Sequence, residues 1–93
     1  MLGISYSRNA RKSIETVSGK HQRQIVRKIE ELRAQQEPHD SQALKGALKP
    51  FRRADVGEYR IIYRVDDDQL LIAAVGRRND DAIYREFGRS RTR

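Results

Sequence analysis

The sequence predicts an α+β fold: a small antiparallel β-sheet, an N-terminal αα-hairpin packed on it, and a short C-terminal helix, in the order β-αα-βββ-α with the helices on one side. Three observations carry that prediction. Apolar residues recur at helical spacing through the first half of the chain. A Ser18-Gly19 step splits that helical stretch in two. The second half then switches to β-branched and aromatic runs separated by turn residues.

Each element follows in order. Residues 2–6 are short, partly apolar and aromatic, as for a first strand. Ser7 is placed to cap the helix that follows. Ala10, Ile14 and Val17 then fall on one helical face. A second helix is expected over residues 20–36, with Ile25, Ile29 and Leu32 as its apolar stripe. Glu37-Pro38-His39-Asp40 ends this unit. Leu44-Lys45-Gly46 reads as a loop before the sheet. A short strand is expected at Phe51–Asp55, with Val56-Gly57 as its turn.

Glu58 to Val65 is the strongest strand signal. Side chains alternate along a strand, so Tyr59, Ile61, Tyr63 and Val65 share the expected core face. Glu58, Arg60, Ile62 and Arg64 share the other, which leaves Arg60 on an open side. Asp66-Asp67-Asp68 makes a turn, and Gln69 to Val75 reads as a strand buried on both faces. Asn79 or Asp80 can cap a last helix in which Ile83 and Phe87 pair at i, i+4. Residues 88–93 read as a frayed tail on a single domain spanning 1–93.

Composition narrows the function. Hydrophobic residues make up 37% and charged residues 35%, which is polar for a globular protein yet patterned enough to fold. Without cysteine, disulfides and thiolate metal sites are excluded. No signal peptide or membrane span is expected, and a cytoplasmic location fits best. The net charge of +7 biases the chain toward polyanions. Positive charge is densest in the middle, where Lys45, Lys49, Arg52, Arg53, Arg60 and Arg64 outnumber Asp55 and Glu58.

On such a sheet, Arg53, Arg60 and Arg78 with the Tyr84 phenol nearby would form a phosphate-binding concavity. Guanidinium forks match phosphate oxygens, and an aromatic ring stacks on an unpaired base. The plainer reading is a solvated basic face with Tyr84 as a packing residue. His21 and His39 stand far apart in polar surroundings, so a two-histidine mechanism has little support. The aspartate run reads as a turn rather than a metal cage. Neither a metal nor a cofactor is expected.

Four blocks occur in order: Leu44-Lys45-Gly46, Val56-Gly57-Glu58-Tyr59-Arg60-Ile61-Ile62-Tyr63, Val75-Gly76-Arg77-Arg78, and Tyr84. With the αα-hairpin before them, they resemble the RelE/ParE toxin superfamily over residues 3–88. The resemblance implies the toxin of a type II toxin–antitoxin pair. RelE-type members cut mRNA in the ribosomal A site, whereas ParE-type members poison DNA gyrase on the same fold.

The RelE-like catalytic set matches Arg60, Arg78 and Tyr84, and Arg53 matches one of two basic residues on the preceding strand. Phe51 stands at the other. The resemblance then implies a ribosome-dependent endoribonuclease, an mRNA interferase that inhibits translation. The mRNA 2′-hydroxyl would attack the adjacent phosphate without a metal. Arg60 and Arg53 would stabilise phosphate charge, Arg78 would assist the leaving oxygen, and Tyr84 would orient a base or the phosphate.

Lys45, Lys49, Arg52, Arg64, Arg77 and Arg85 would help to bind mRNA and ribosomal RNA. The expected protein partner is an acidic antitoxin in a hetero-oligomer, covering the arginines or displacing the last helix. The alternatives are a gyrase inhibitor without nuclease activity and a non-enzymatic RNA-binding module.

Overall fold

In a computed structural model of the chain, which describes residues 2–79 and 82–91, the predicted α+β architecture is present. The elements run β1 (Gly3–Tyr6), α1 (Arg8–Thr16), α2 (Gly19–Ala34), β2 (Ser41–Ala43), β3 (Arg52–Val56), β4 (Tyr59–Asp66), β5 (Gln69–Arg77) and α3 (Ala82–Arg91). A single 3-10 turn, Gly46–Leu48, joins β2 to β3.

The five strands form one sheet in the order β1-β5-β4-β3-β2. Three of the four pairings are antiparallel, as expected. The fourth is parallel: β1 lies beside β5 with Gly3 opposite Gln69. The first strand therefore does not sit next to the strands that follow it. It closes the edge of the sheet against the last one.

Helices cover both faces rather than one. On the first face, Ile25, Ile29 and Leu32 of α2 and Ala10 of α1 bury against Ile61, Tyr63, Leu70 and Ile72. On the second, Ile83 and Phe87 of α3 meet Ile62, Ala74, Phe51 and Leu44. The reason is visible in β5, whose apolar run gives each face of the sheet something to hide. One helical layer would leave Ile62 and Ala74 in water. Burying an Ile side chain fully stabilises by about 1.5–3 kcal/mol, so the second layer is strongly favoured.

Other differences are local. β2 is a three-residue strand of Ser-Gln-Ala, with little intrinsic strand preference, and pairing with β3 creates it. The hairpin turn is Gly57-Glu58 rather than Val56-Gly57, with Gly57 at φ +58°, a conformation glycine adopts without strain. Val65 is 40% exposed near the opposite hairpin end, although its strand neighbours Ile61 and Tyr63 are fully buried. α3 continues to Arg91, past the start of the expected tail at Gly88. Asp80, one of the two expected caps of this helix, and tail residues 92–93 lie outside the described residues. Among the described residues no helix is long and apolar enough to cross a membrane.

Ser7 does more than cap. Its Oγ accepts from the Ala10 amide at 3.0 Å, as expected of an N-cap. The same hydroxyl donates to the Ala73 carbonyl at 2.7 Å. Ala73 is the residue of β5 skipped where the β4–β5 register shifts, between Ile72 opposite Tyr63 and Ala74 opposite Ile62. A bulge leaves backbone groups outside the ladder, and Ser7 satisfies one of them. Ser7→Ala removes both bonds and should cost about 1–2 kcal/mol. Urea unfolding should show a lower midpoint with an unchanged slope; an unchanged midpoint would mean that neither bond contributes.

Candidate functional site

The face of the sheet under α3 collects the predicted arginines. The Gly57-Glu58 turn pairs Val56 with Tyr59 and hence Asp55 with Arg60. Two residues back along β3, Arg53 stands opposite Ile62 on the same face. On the other side of Arg60, its partner on β5 is Gly76. A Cβ on Gly76 would come within 3.0 Å of the Ile83 Cβ. Glycine here lets α3 approach the sheet closely, and the approach sets Tyr84 beside Arg60.

Arg60 is the hub. Its Nε donates to Asp55 Oδ1 at 2.7 Å and its Nη2 to Asp55 Oδ2 at 3.2 Å. Its Nη1 donates to the Tyr84 hydroxyl at 2.8 Å. The Arg60 side chain is 14% exposed. Arg78, just beyond β5, brings Nη1 within 4.0 Å of Asp55 Oδ2. Arg53 donates to the Gln42 amide oxygen. A cleft of about 230 Å³ lined by His39, Asp40, Gln42, Arg53 and Asp55 opens beside them.

The electrostatics follow from this arrangement. The hydrogen bond from Arg60, outweighing partial burial, holds the Asp55 carboxyl below the usual aspartate range, and the charges of Arg60, Arg53 and Arg78 reinforce it. Arg60 moves up in return, chiefly through its hydrogen bond to Asp55. Arg60 is thus permanently charged and cannot serve as a general base. It can bind and stabilise an anion.

Of the expected catalytic set, Arg60 and Arg78 thus pair with one carboxylate, Tyr84 joins through Arg60, and Arg53 stands on the same face. The wider basic set is divided. Arg64 shares this face, stacked 5.5 Å from the Phe51 ring centre and 3.5 Å from an Asp66 oxygen. Arg85 follows Tyr84 on α3 and is exposed, as are Lys45 and Lys49 flanking the 3-10 turn. Arg52 and Arg77 lie on the opposite face. Arg52 bonds the Ser41 hydroxyl at 2.8 Å, and Arg77 pairs with Glu58 at 3.3 Å over the Tyr59 ring. The His21 ring packs with its centre 5.3 Å from that of Tyr59.

Asp55 and Gln42 are the members that sequence reasoning missed. The signal for Asp55 was the turn. A turn read at Val56-Gly57 sets Asp55 opposite Glu58, whereas one residue later it faces Arg60. Gln42 had no signal, because β2 exists only through its pairing.

The family model describing the ParE toxin of type II toxin-antitoxin systems, parDE, matches residues 4–82. No curated protein matches the sequence significantly. Among solved structures, the toxin–antitoxin complex RelBE2 of Mycobacterium tuberculosis superposes with a TM-score of 0.69 at 23% identity, covering 83% of this chain and 98% of that one. The archaeal RelE–RelB complex of Pyrococcus horikoshii gives 0.71 at 22% identity, covering 83% and 94%. A mutant of the E. coli toxin RelE in the free state gives 0.79 at 17% identity, covering 96% of each chain. At these identities the structural likeness speaks to the fold alone.

The ion pair has a measurable signature. A carboxyl whose folded pKa is depressed stabilises the fold above its unfolded pKa, and that stability is lost as pH falls through the folded value. Asp55→Asn should therefore cost about 1 kcal/mol at neutral pH, a modest figure because the pair is partly solvated. The difference from the native chain should vanish below the ordinary aspartate range. Urea unfolding at a series of pH values tests this. An equal difference at pH 2 and pH 7 would assign the effect to packing rather than charge.

Proposed function

This chain belongs to the family of ParE toxins of type II toxin–antitoxin systems; from its arginine–tyrosine cluster, rather than from that family, we propose that its toxic activity is ribosome-dependent cleavage of mRNA. The observation that carries the reading is the Arg60–Tyr84 hydrogen bond at 2.8 Å, with Arg78 and Arg53 on the same site. A binding surface needs only positive charge. A guanidinium locked to a phenol beside two further guanidiniums supports handling of one phosphate and the base next to it.

In this reading the mRNA 2′-hydroxyl oxygen attacks the adjacent phosphorus and the bond to the 5′-oxygen breaks. The products are a 2′,3′-cyclic phosphate and a free 5′-hydroxyl. Arg60 and Arg53 stabilise the charge that builds on the phosphoryl oxygens. Arg78, the most exposed of the three beside Asp55, faces the leaving oxygen. Tyr84 orients the reacting nucleotide. None of the arginines takes the proton of the 2′-hydroxyl; it passes to solvent water, and water returns a proton to the leaving 5′-oxygen. Positioning by the ribosome then contributes a large share of the rate, as held reactants can gain about 7–11 kcal/mol.

As a type II toxin it has an antitoxin, and its net charge of +7 favours an acidic one. A carboxylate-bearing segment across Arg60 and Arg78, or one that displaces α3 with Tyr84, would silence the site.

A second reading is a DNA gyrase inhibitor that cuts no RNA. Two observations are on its side: the match to the ParE toxin family, and the Asp55 carboxylate, which already occupies the Arg60 fork.

Regulated expression with mapping of transcript 5′ ends separates the two. Ribosome-dependent cuts inside coding regions are expected. Arg60→Ala and Tyr84→Ala should each slow cleavage by about 100- to 1,000-fold, the scale of one lost charge-stabilising group. Growth arrest with intact mRNA and induced DNA damage would instead establish the gyrase reading.

A further inference from the structure

Arg60 offers an incoming anion less than its charge suggests. The side-on edge of a guanidinium, Nε with one Nη, is the fork that grips two oxygens of a carboxylate or a phosphate. Here both donors of that edge are taken by Asp55, at 2.7 and 3.2 Å. Nη1 is engaged with Tyr84. The same carboxylate lies 4.0 Å from Arg78. Two guanidiniums therefore pair with one negative charge at the place where a phosphate would sit, and Arg53 acts on it through space.

Asp55 is not buried there. Its side chain is 34% exposed, and a partly hydrated ion pair of this kind holds by about 1 kcal/mol or less. It can give way to a stronger ligand. It also repels any phosphate that arrives while it stays in place. A free RNA strand meets this repulsion with only its own charge to overcome it. A strand already held by a larger assembly approaches at high effective concentration and meets the same small barrier at much less loss of binding.

We propose that Asp55 is an intramolecular competitor for the phosphate, a specificity residue that weakens the grip of Arg60 on free single-stranded RNA and reserves the site for RNA presented in position. The inference rests on the reading of the arginine cluster as a phosphate site, given above. It adds a residue whose removal strengthens binding, where removal of each arginine weakens it.

The test is binding of a fluorescent 2′-O-methyl RNA oligonucleotide, which cannot be cleaved by 2′-hydroxyl attack. Native protein, Asp55→Asn, Arg60→Ala and the double variant are titrated across a range of salt concentrations. Asp55→Asn should bind roughly three- to tenfold more tightly at moderate salt. Its plot of log affinity against log salt should steepen by about 0.7, the value for one more phosphate contacted on a single strand. The gain should fall sharply when Arg60 is absent, leaving only what relief of Arg78 and Arg53 supplies. Asp55→Ser, which also removes the charge, should behave like Asp55→Asn and serves if the asparagine variant unfolds.

Unchanged or weaker binding in the charge-removing variants would overturn the proposal. So would a gain of equal size without Arg60, or no measurable binding by any of the proteins. Separate cleavage assays on ribosomes keep the two readings apart. Tighter, Arg60-dependent binding in a protein that cuts nothing would support the competitor role and sink the nuclease. Ribosome-dependent cutting with no Asp55 effect on binding would do the reverse.

Discussion

The close approach of α3 to the sheet at Gly76 is the constraint on which the site depends. Gly76 sits opposite Arg60 in the ladder, and the nearest foreign atom to its missing side chain is the Ile83 Cβ at 3.0 Å. Ala74, two residues earlier, is also small and also lies under this helix. Two small residues in β5 make a shallow trough, and α3 rests in it through Ile83 and Phe87. Tyr84 is adjacent to Ile83, so the depth of the trough sets the reach of the phenol to Arg60. A bulkier strand would still be a good strand, but it would hold the helix and its tyrosine away from the guanidinium.

The site combines two kinds of order. The Arg60–Asp55 pair belongs to neighbouring strands and is fixed by one hairpin register. The Arg60–Tyr84 bond joins the sheet to a separate helix. The first is local and cheap to form. The second exists only when the layer of α3 is in place. Anything that lifts this layer leaves the arginines charged and exposed but without their aromatic companion. In the function proposed above, that separation would give an antitoxin a handle on the site that does not require covering every charge.

Much of this was legible in the sequence, for reasons that differ by element. The stripe Ile25, Ile29, Leu32 and the cap at Ser7 follow from local chemistry, and both are present. The alternation along β4 correctly split Tyr59, Ile61 and Tyr63 from Arg60, Ile62 and Arg64. That split alone puts Arg60 and Arg64 on one face. The layer above it was not legible. Ile62 among arginines reads as an isolated apolar residue on a solvated face, and only Ile83 and Phe87, twenty or more residues away, explain its burial. The parallel placement of β1 also depends on a pairing across most of the chain, which no local pattern encodes. Asp55 escaped for the smallest reason, a turn read one residue early, because in a hairpin a slip of one changes every cross-strand pair.

The parallel edge has a consequence for how the molecule is made. β1 is translated ahead of the other strands, yet its partner Gln69–Arg77 emerges more than sixty residues later. At roughly 5–20 residues per second, the opening strand waits for seconds with its hydrogen-bonding edge unfilled. The tyrosine of the candidate site lies later still, on α3. A chain cut short before β5 can close neither the sheet nor the cluster around Arg60. Synthesis itself thus acts as a delay line: the cluster around Arg60 cannot assemble until both β5 and α3 have been made.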